Sequence, residues 1–146
     1  MPDISFYNRC IEILETAFSR FQTKKEPDIE YDVYRSACVK EFELIMEQSG
    51  RLLRKTIEPF LAGGAAANRL TFRSVFRQAS QRGLITEEEC ERWMEYRDNR
   101  NSTAHDYGFD LAEQIIKLLP EFIADAKRLG GVFNDDIERE TPANTD

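Results

Sequence analysis

One short stretch of the chain carries residue types that could cleave RNA without a metal ion. Arg100, Asn101 and His105 lie within six positions, and His105 is the only histidine in the sequence. An imidazole near neutral pH can take a proton from a ribose 2′-hydroxyl or give one to a leaving oxygen. A guanidinium can hold a phosphate through two hydrogen bonds and offset the charge that develops on it. Together these groups suffice for a transesterification that leaves a 2′,3′-cyclic phosphate and a 5′-hydroxyl.

The spacing of these residues limits how they can cooperate. Arg97, Asn101 and His105 are four positions apart, so they share one face of a helix, and Asn101 could orient the imidazole or donate to phosphate. Arg100 precedes His105 by five residues, which is about 140° on an ideal helix. The two could meet if the helix ends near Ala104 or if helices from two protomers face each other. The alternative is an ordinary helix end with exposed charges and a histidine that suits the helix dipole.

Apolar residues in the first half of the chain recur at three- and four-residue steps, which indicates helices. One stripe runs from Tyr7 to Phe21 and predicts a first helix. Residues 23–28 predict a loop, and a second stripe predicts a helix from about Glu30 to about Pro59. Gly50 lies inside that helix, where glycine costs about 1 kcal/mol relative to alanine and permits a bend.

The middle of the chain predicts a loop, a short helix and a longer helix. The small residues at 61–68 predict the loop, and Gly83 predicts the end of the short helix. Thr86 and Glu89 have the spacing of a capping box, which opens a helix toward His105. The short helix places four apolar residues inward and two arginines outward: Phe72, Val75, Phe76 and Ala79, with Arg73 and Arg77.

The last helix is predicted to follow a turn at 107–109. Asp110 with Glu113 has the spacing of a second capping pair. Pro120 removes a backbone hydrogen bond, which predicts a kink or a break. Gly130 and the glycine after it predict the end of the helix, since glycine commonly follows a helix terminus.

These elements predict an all-α fold, an up-and-down bundle of four to five helices. The chain has 146 residues, of which 41% are apolar, enough for one domain with a core. We expect a helical domain at residues 1–133 and an acidic, disordered tail at 134–146. The ten Phe, five Tyr and one Trp exceed what a four-helix core needs, which favours a homodimer.

The sequence predicts neither a membrane-spanning segment nor disulfide bonds. The sequence has no apolar run of the length that crosses a bilayer and no signal-peptide pattern, so we expect a soluble, cytoplasmic protein. Cys10, Cys38 and Cys90 are widely spaced and fall at apolar positions, which predicts buried thiols. A zinc site would need all three together with His105, without the usual ligand spacing. We therefore expect no metal or other cofactor.

Charge is distributed unevenly along the chain. The net charge is −7, yet residues 51–82 hold seven basic residues against Glu58 alone, a local net charge of +6. Two interpretations stay open. The cations could lie on solvated helix faces with acidic partners elsewhere in the fold, or they could form a surface that attracts a polyanion.

The motif and its surroundings resemble a known family. Arg100-Asn101-x-x-x-His105 matches the R-[ND]-x-x-x-H motif of HEPN domains, and Tyr107 extends it to R-x4-H-x-Y. That longer form is typical of HEPN toxins that are paired with a minimal nucleotidyltransferase antitoxin. Phe72-x-x-x-Phe76, Gly83-Leu84-Ile85 and Trp93 are similar to proteins once called nucleotidyltransferase substrate-binding subunits. The resemblance covers roughly residues 4–130.

The resemblance implies a function and assigns roles to residues. It implies a homodimeric bundle in which the motif residues of both protomers line one cleft, and a metal-independent endoribonuclease that acts as a toxin. Arg100 would bind phosphate, His105 would be the acid and base, and Asn101 and Arg97 would support RNA binding. Tyr107 matches the tyrosine to which the partner nucleotidyltransferase attaches AMP, which silences the toxin.

Two other functions stay open at this point. The chain could be a non-catalytic subunit that presents a nucleotide or another acceptor to a nucleotidyltransferase. It could also be a helical interaction module in which the motif has no catalytic role. Buried ion pairs at Arg100 and His105 would favour the interaction module, and nucleotide binding without RNA products would favour the presenting subunit.

Overall fold

Six α-helices make up the part of the chain that the structure describes. This computed structural model covers the backbone of residues 3–103 and 109–140, and the side chains there except those at 101–103, 109, 139 and 140. No described residue lies in a β-strand, so the predicted all-α bundle is confirmed, with six helices in place of four to five. In chain order the helices are α1 (Ser5–Phe21), α2 (Ile29–Ile57), α3 (Gly64–Asn68), α4 (Phe72–Gln81), α5 (Glu87–Thr103) and α6 (Phe109–Glu140).

Helices α1 and α2 pack against each other along their length, joined by the loop predicted at 23–28. The Asp28 carboxylate caps α2 by accepting a hydrogen bond from the backbone N–H of Glu30 at 2.9 Å. At the same end of the pair, the rings of Phe21 and Tyr31 lie 4.7 Å apart. The predicted extent of α2, from about residue 30 to about residue 59, agrees with the structure.

The segment between α2 and α4 differs from the prediction of a continuous loop at 61–68. The chain forms one turn of 3₁₀ helix at Glu58–Phe60 and then the five-residue helix α3. Small side chains permit this compact connection. Helix α4 agrees with the sequence: Thr71 accepts a hydrogen bond from the N–H of Ser74 at 3.1 Å, and Gly83 follows the helix with φ +75°. A positive φ of this size favours glycine because it has no Cβ.

Gly50 has a packing reason to be glycine. A Cβ at this position would lie 2.9 Å from Cδ2 of Phe72 in α4, closer than a real Cβ contact allows. Helix α2 therefore gives up the helix propensity of a larger residue so that the Phe72 ring can rest on its backbone. Phe72 is half-buried, and Val75, Phe76 and Ala79 beside it are buried, as the sequence predicts for α4.

Helix α5 begins with the predicted capping box. The backbone N–H of Glu89 donates to the Thr86 hydroxyl at 3.0 Å, and the Glu89 carboxylate accepts from the N–H of Thr86 at 3.2 Å. The two reciprocal bonds satisfy amides that the first helical turn leaves unpaired. This local pattern sets the start of the helix that carries Arg97, Arg100 and Asn101.

Helix α6 is longer than the sequence predicts. It continues through Pro120 to Glu140, so Pro120 does not break it and the helix end predicted at Gly130 is wrong. A Cβ at Gly130 would lie 3.4 Å from Cε1 of Tyr7, an ordinary van der Waals contact, so α6 packs against α1 at this glycine. The first seven residues of the predicted tail are thus helical, and residues 141–146 lie outside the described part.

Asp110 and Glu113 do not form the predicted capping pair. Asp110 lies inside the first turn of α6, which begins at Phe109, and is not the residue before the helix. Glu113 instead accepts hydrogen bonds from α2: the Tyr31 hydroxyl donates at 2.7 Å and Nη1 of Arg35 at 3.3 Å. Glu113 therefore joins α6 to α2 near the point where α6 begins.

The core is centred on aromatic rings from α2, α4, α5 and α6. The Trp93 ring lies 5.3 Å from the Phe76 ring, 5.4 Å from the Tyr96 ring and 5.7 Å from the Phe122 ring. Phe42 of α2 lies 4.7 Å from Phe122. Edge-to-face and tilted contacts of this kind fix the positions of rings beyond simple burial.

All three cysteines are free and buried, as the sequence predicts. Burial raises the pKa of the Cys38 thiol to about 12. Burial also raises the pKa values of Cys10 and Cys90. These thiols are therefore protonated core residues near neutral pH.

Within the described residues, no helix is long and apolar enough to cross a membrane.

Candidate functional site

The predicted catalytic motif lies at the connection between α5 and α6. Arg100 and Asn101 are in the last turn of α5, which ends at Thr103, and α6 begins at Phe109. His105 and Tyr107 fall in the segment 104–108, outside the described residues, as does the side chain of Asn101. The predicted roles of all five site residues stay predictions. The described part of the site is formed by Arg97, Arg100 and the residues that hold α5 and α6.

Arg97 covers the edge of the aromatic core at the junction of α5 with α4. Its guanidinium carbon lies 5.1 Å from the centroid of the Phe72 ring, and the side chain is half-buried. A guanidinium above an aromatic face is attracted by the electrons of the ring and can still donate hydrogen bonds at its edge. Arg100 is also half-buried and lies three residues further along, so both arginines occupy neighbouring positions on α5.

A buried carboxylate joins α5 to α6 just before the motif. Asp125 of α6 is fully buried and accepts hydrogen bonds from Nε of Arg92 at 2.8 Å and from Nη2 of Arg92 at 2.9 Å. The Tyr96 hydroxyl donates to the same carboxylate at 2.5 Å. Nη1 of Arg128 donates to it at 2.6 Å from the solvent side. We call this set, Arg92, Tyr96, Asp125 and Arg128, the Asp125 cluster.

The electrostatics of the Asp125 cluster favour the charged carboxylate. Burial alone would raise the pKa of Asp125, but the hydrogen bonds from Arg92 and Tyr96 and the charges of Arg92 and Arg128 outweigh it and lower the pKa. The hydrogen bond to Asp125 likewise raises the pKa of Arg92. Burial, followed by that hydrogen bond, raises the pKa of Tyr96. The cluster therefore holds a carboxylate, a guanidinium and a neutral phenol near neutral pH.

The cluster and Glu113 hold the two helices on either side of segment 104–108. Arg92 and Tyr96 precede Arg100 by eight and four residues on α5, and Asp125 fixes both against α6. Glu113 joins the start of α6 to α2, and its hydrogen bond raises the pKa of the Tyr31 hydroxyl. The connection that carries the predicted histidine thus starts and ends on helices with polar anchors, one buried at Asp125 and one partly buried at Glu113.

Sequence reasoning did not identify the Asp125 cluster. The available signal is the position of Asp125 in an inward stripe of α6, between Phe122 and Ala126, which are both fully buried. A carboxylate on a core face requires cationic or hydrogen-bonding partners. Arg92, one position before the buried Trp93, was the basic residue on α5 that could have supplied them.

The basic segment 51–82 runs from the end of α2 to the residue after α4. Nη2 of Arg54 donates to the Leu70 carbonyl at 2.9 Å, and the Arg82 guanidinium carbon lies 4.8 Å from the Phe60 ring centroid. The other five cations are exposed, and none of them forms an ion pair with a described residue: Arg51, Lys55, Arg69, Arg73 and Arg77. We call these five residues the basic surface.

A family model described as nucleotidyltransferase substrate binding protein like matches residues 2–134. The chain belongs to this family. The match confirms the resemblance to nucleotidyltransferase substrate-binding subunits that the sequence indicates. The matched residues include every described helix except the last turns of α6. The motif and the helices on either side of it therefore lie within one family match.

Three relatives of this family member are informative. A Haemophilus influenzae protein named probable ribonuclease HepT is 24% identical over 127 residues, which cover 87% of this chain and 85% of that protein. A solved structure from Haemophilus influenzae, described as the fold of a substrate-binding domain of a nucleotidyltransferase, superposes with a TM-score of 0.78 at 20% identity and covers 90% of this chain and 99% of that one. A Thermus thermophilus crystal structure superposes with a TM-score of 0.62 at 24% identity and covers 82% and 98%.

Proposed function

We propose that this protein is the toxin of a HEPN toxin–antitoxin pair, a metal-independent endoribonuclease. The observation that carries the proposal is the R-x4-H sequence at the end of α5, in a chain with a relative named probable ribonuclease HepT. The half-buried Arg100 of this sequence, the half-buried Arg97 before it and the polar anchors of α5 and α6 support the proposal. The anchors fix the two helices, and the two guanidinium groups provide hydrogen-bond donors at the end of the bundle where a phosphate would bind.

In the proposed reaction, the chain cuts RNA by internal transesterification. The ribose 2′-oxygen attacks the adjacent phosphorus while His105 takes the 2′-hydroxyl proton. The bond from phosphorus to the 5′-oxygen breaks, and that oxygen leaves with a proton supplied by an imidazolium. The products are a 2′,3′-cyclic phosphate and a 5′-hydroxyl. Arg100 stabilises the charge on the non-bridging oxygens, with Asn101 and Arg97 in support.

The proposed active unit is a homodimer with one cleft. Arg100 and His105 lie about 140° apart on an ideal helix, so a straight α5 would not direct both at one phosphate. Motif residues from two protomers in one cleft would remove this difficulty. A shared cleft would also allow His105 of one protomer to act as base while His105 of the other acts as acid.

The proposed control is transfer of AMP to Tyr107 by a cognate minimal nucleotidyltransferase antitoxin. The phenol oxygen would attack the α-phosphorus of ATP, lose its proton and release pyrophosphate. The added phosphate would bring negative charge two residues from His105, where it would repel the RNA backbone and occupy the cleft.

The decisive experiment is RNA cleavage in EDTA by the purified protein beside a His105→Ala variant and an Arg100→Ala variant. Intact mass first establishes that Tyr107 carries no AMP. We expect cyclic-phosphate ends from the wild type and a loss of at least about a hundredfold in both variants. Arg20→Ala is the matched control, because Arg20 is exposed on α1, and α1 does not contact α4 or α5 within the described residues. Unchanged cleavage by a folded His105→Ala variant would remove the proposal.

A second candidate function is a non-catalytic subunit that presents a nucleotide or another substrate to a nucleotidyltransferase. The family description and the substrate-binding name of the Haemophilus influenzae structure favour it. It predicts nucleotide binding by calorimetry, complex formation with the transferase and no RNA products. Expression alone separates the two candidates, because a toxin arrests growth and its antitoxin restores it, whereas a presenting subunit does neither.

A further inference from the structure

The basic surface has an unusual charge environment for this protein. The chain contains 27 acidic residues against 20 basic ones, so carboxylates are abundant. None of them pairs with the five cations of the basic surface in the described part of the fold. Arg73 and Arg77 lie four residues apart on α4, as do Arg51 and Lys55 on α2, although like charges at this spacing repel each other on a helix.

Phe72 places this surface beside the candidate site. Its ring packs against the Gly50 backbone of α2 and also lies under the Arg97 guanidinium of α5. Phe76 lies one turn after Phe72 on α4, and it contacts Trp93, which lies one turn before Arg97 on α5. Helices α4 and α5 therefore run antiparallel. The start of α4, with Arg73, therefore lies beside the end of α5.

Helix α4 brings unbalanced positive charge to its contact with α5. Burial raises the pKa of Cys90 on α5, and the charges of Arg77 and Arg73 on α4 oppose that rise while Glu91 and Glu87 add to it. At the end of α5, Arg97 and Arg100 alternate with Glu95 and Asp98. The excess positive charge beside the motif therefore comes from α4.

An exposed aromatic ring marks the far end of α4. Phe60 is 51% exposed, and Arg82, which follows α4, lies over the ring and donates a hydrogen bond to the Phe60 carbonyl at 3.3 Å. An accessible ring beside a guanidinium is a common platform for a nucleic-acid base. It lies about 15 Å from the start of α4, the length of a ten-residue helix.

We infer that the basic surface binds the backbone of single-stranded RNA and leads it along α4 to the end of α5. Its cations contact phosphates, and Phe60 with Arg82 stacks a base at the far end. The inference rests on the proposed ribonuclease function and adds to it a substrate-binding surface outside the motif. Unpaired cations that repel one another gain from phosphate neutralisation, because each contact releases condensed counterions.

The test compares RNA affinities by fluorescence anisotropy in EDTA, with His105→Ala in every variant to prevent cleavage. Arg73→Gln with Arg77→Gln should weaken binding of a labelled single-stranded RNA about tenfold and reduce the slope of log K against log salt by about 1.4, since each contact contributes about 0.7. Arg73→Lys with Arg77→Lys should keep the affinity. Arg20→Gln is the control for loss of an exposed arginine elsewhere. Equal affinity and slope in the double glutamine variant and its parent would overturn the inference.

Cleavage kinetics separate this inference from the proposed function. With His105 intact, the double glutamine variant should raise KM for a long RNA about tenfold, preserve kcat, and cleave a dinucleotide like the wild type. A wild type that cuts RNA, beside a double variant with unchanged KM and affinity, would leave the function standing and remove the basic surface. A wild type that cuts no RNA would remove the function, and the binding assay would still decide whether this surface holds RNA.

Discussion

Two groups of arginines in this protein have opposite surroundings. In the Asp125 cluster, Arg92 and Arg128 share a carboxylate that is completely buried, with nitrogen–oxygen distances of 2.6 to 2.9 Å. In the basic surface, Arg73 and Arg77 are exposed and form no ion pair with a described residue. The two groups belong to neighbouring parts of one small bundle, since α5 carries Arg92 and packs against α4.

The charges of the Asp125 cluster stabilise the fold, whereas the charges of the basic surface are available to a ligand. A buried carboxylate with two guanidinium partners costs several kcal/mol when one side is removed, because the other charge remains without compensation. An exposed and unpaired arginine contributes little to stability. Substitutions should therefore act on the free energy of unfolding in the first group and on RNA binding in the second.

The largest expected effect is that of Asp125→Ala. The variant leaves Arg92 half-buried without its main partner and removes the acceptor of the Tyr96 hydroxyl. We expect the free energy of unfolding, measured by urea titration, to fall by about 3–5 kcal/mol. Cleavage should also fall in the fraction that remains folded, because α5 and α6 lose their common anchor next to the motif.

Glu121→Ala is the matched control for this prediction. Glu121 also pairs with Arg92, at 3.3 Å, but its side chain is 64% exposed. Its removal should cost less than about 1 kcal/mol, as for other exposed ion pairs. Similar losses for Asp125→Ala and Glu121→Ala would show that burial of the carboxylate does not distinguish the two contacts, and the comparison would fail.

Acid pH should reduce the contribution of Asp125 in a predictable direction. The folded state lowers the pKa of this carboxyl below its ordinary value of 3.8, so the folded protein binds fewer protons there than the unfolded chain. Its contribution is present above the ordinary value and is lost as pH falls through the lower folded pKa. The difference in unfolding free energy between wild type and Asp125→Asn should stay constant from about pH 7 to 5 and shrink below about pH 4. A difference that grows on acidification contradicts this assignment.

The parts of the fold that depend on local sequence could be predicted, and those that depend on distant contacts could not. The capping box of Thr86 and Glu89 and the turn at Gly83 use neighbouring residues, and the structure confirms them. The helix end predicted at Gly130 is wrong because α6 continues past that glycine and packs there against Tyr7 of α1, which lies more than a hundred residues away in the chain.

The same distinction applies to the candidate site. The motif could be found because its residues are close in sequence, whereas Asp125 acts on residues 29 and 33 positions earlier. Periodicity shows that Asp125 faces the core but does not show which cation meets it. The sequence predicts that Arg97 shares one helical face with Asn101 and His105, whereas its stacking on Phe72 depends on the packing of α4 against α5. The roles of all the predicted site residues stay predictions, and His105 and Tyr107 lie outside the described residues.

A smaller effect is expected from Gly50→Ala, which tests how α2 positions the Phe72 ring under Arg97. Alanine gains about 1 kcal/mol of helix propensity, but its Cβ would lie 2.9 Å from the Phe72 ring, and overpacking of this kind costs about 1–3 kcal/mol. We expect a net loss of about 1 kcal/mol in urea unfolding and weaker RNA binding as Arg97 shifts with the ring. Gly131→Ala is the control, because no atom lies within 4 Å of a Cβ there, and it should stabilise the protein. Equal gains in both variants would show that the ring can move freely.

The smallest expected effect on stability is that of Arg73→Gln with Arg77→Gln, the variant that should have the larger effect on RNA affinity. Both side chains are exposed on α4, without an ion pair in the described part of the chain, so their loss should change the free energy of unfolding by less than about 0.5 kcal/mol. Removing two like charges at a four-residue interval should even give a slight gain at low salt, which added salt abolishes. Urea titrations at low and high salt measure both quantities. A loss of more than about 1 kcal/mol would mean that these arginines hold α4 against its neighbours, and the basic surface would then belong with the Asp125 cluster, among the charges that serve the fold.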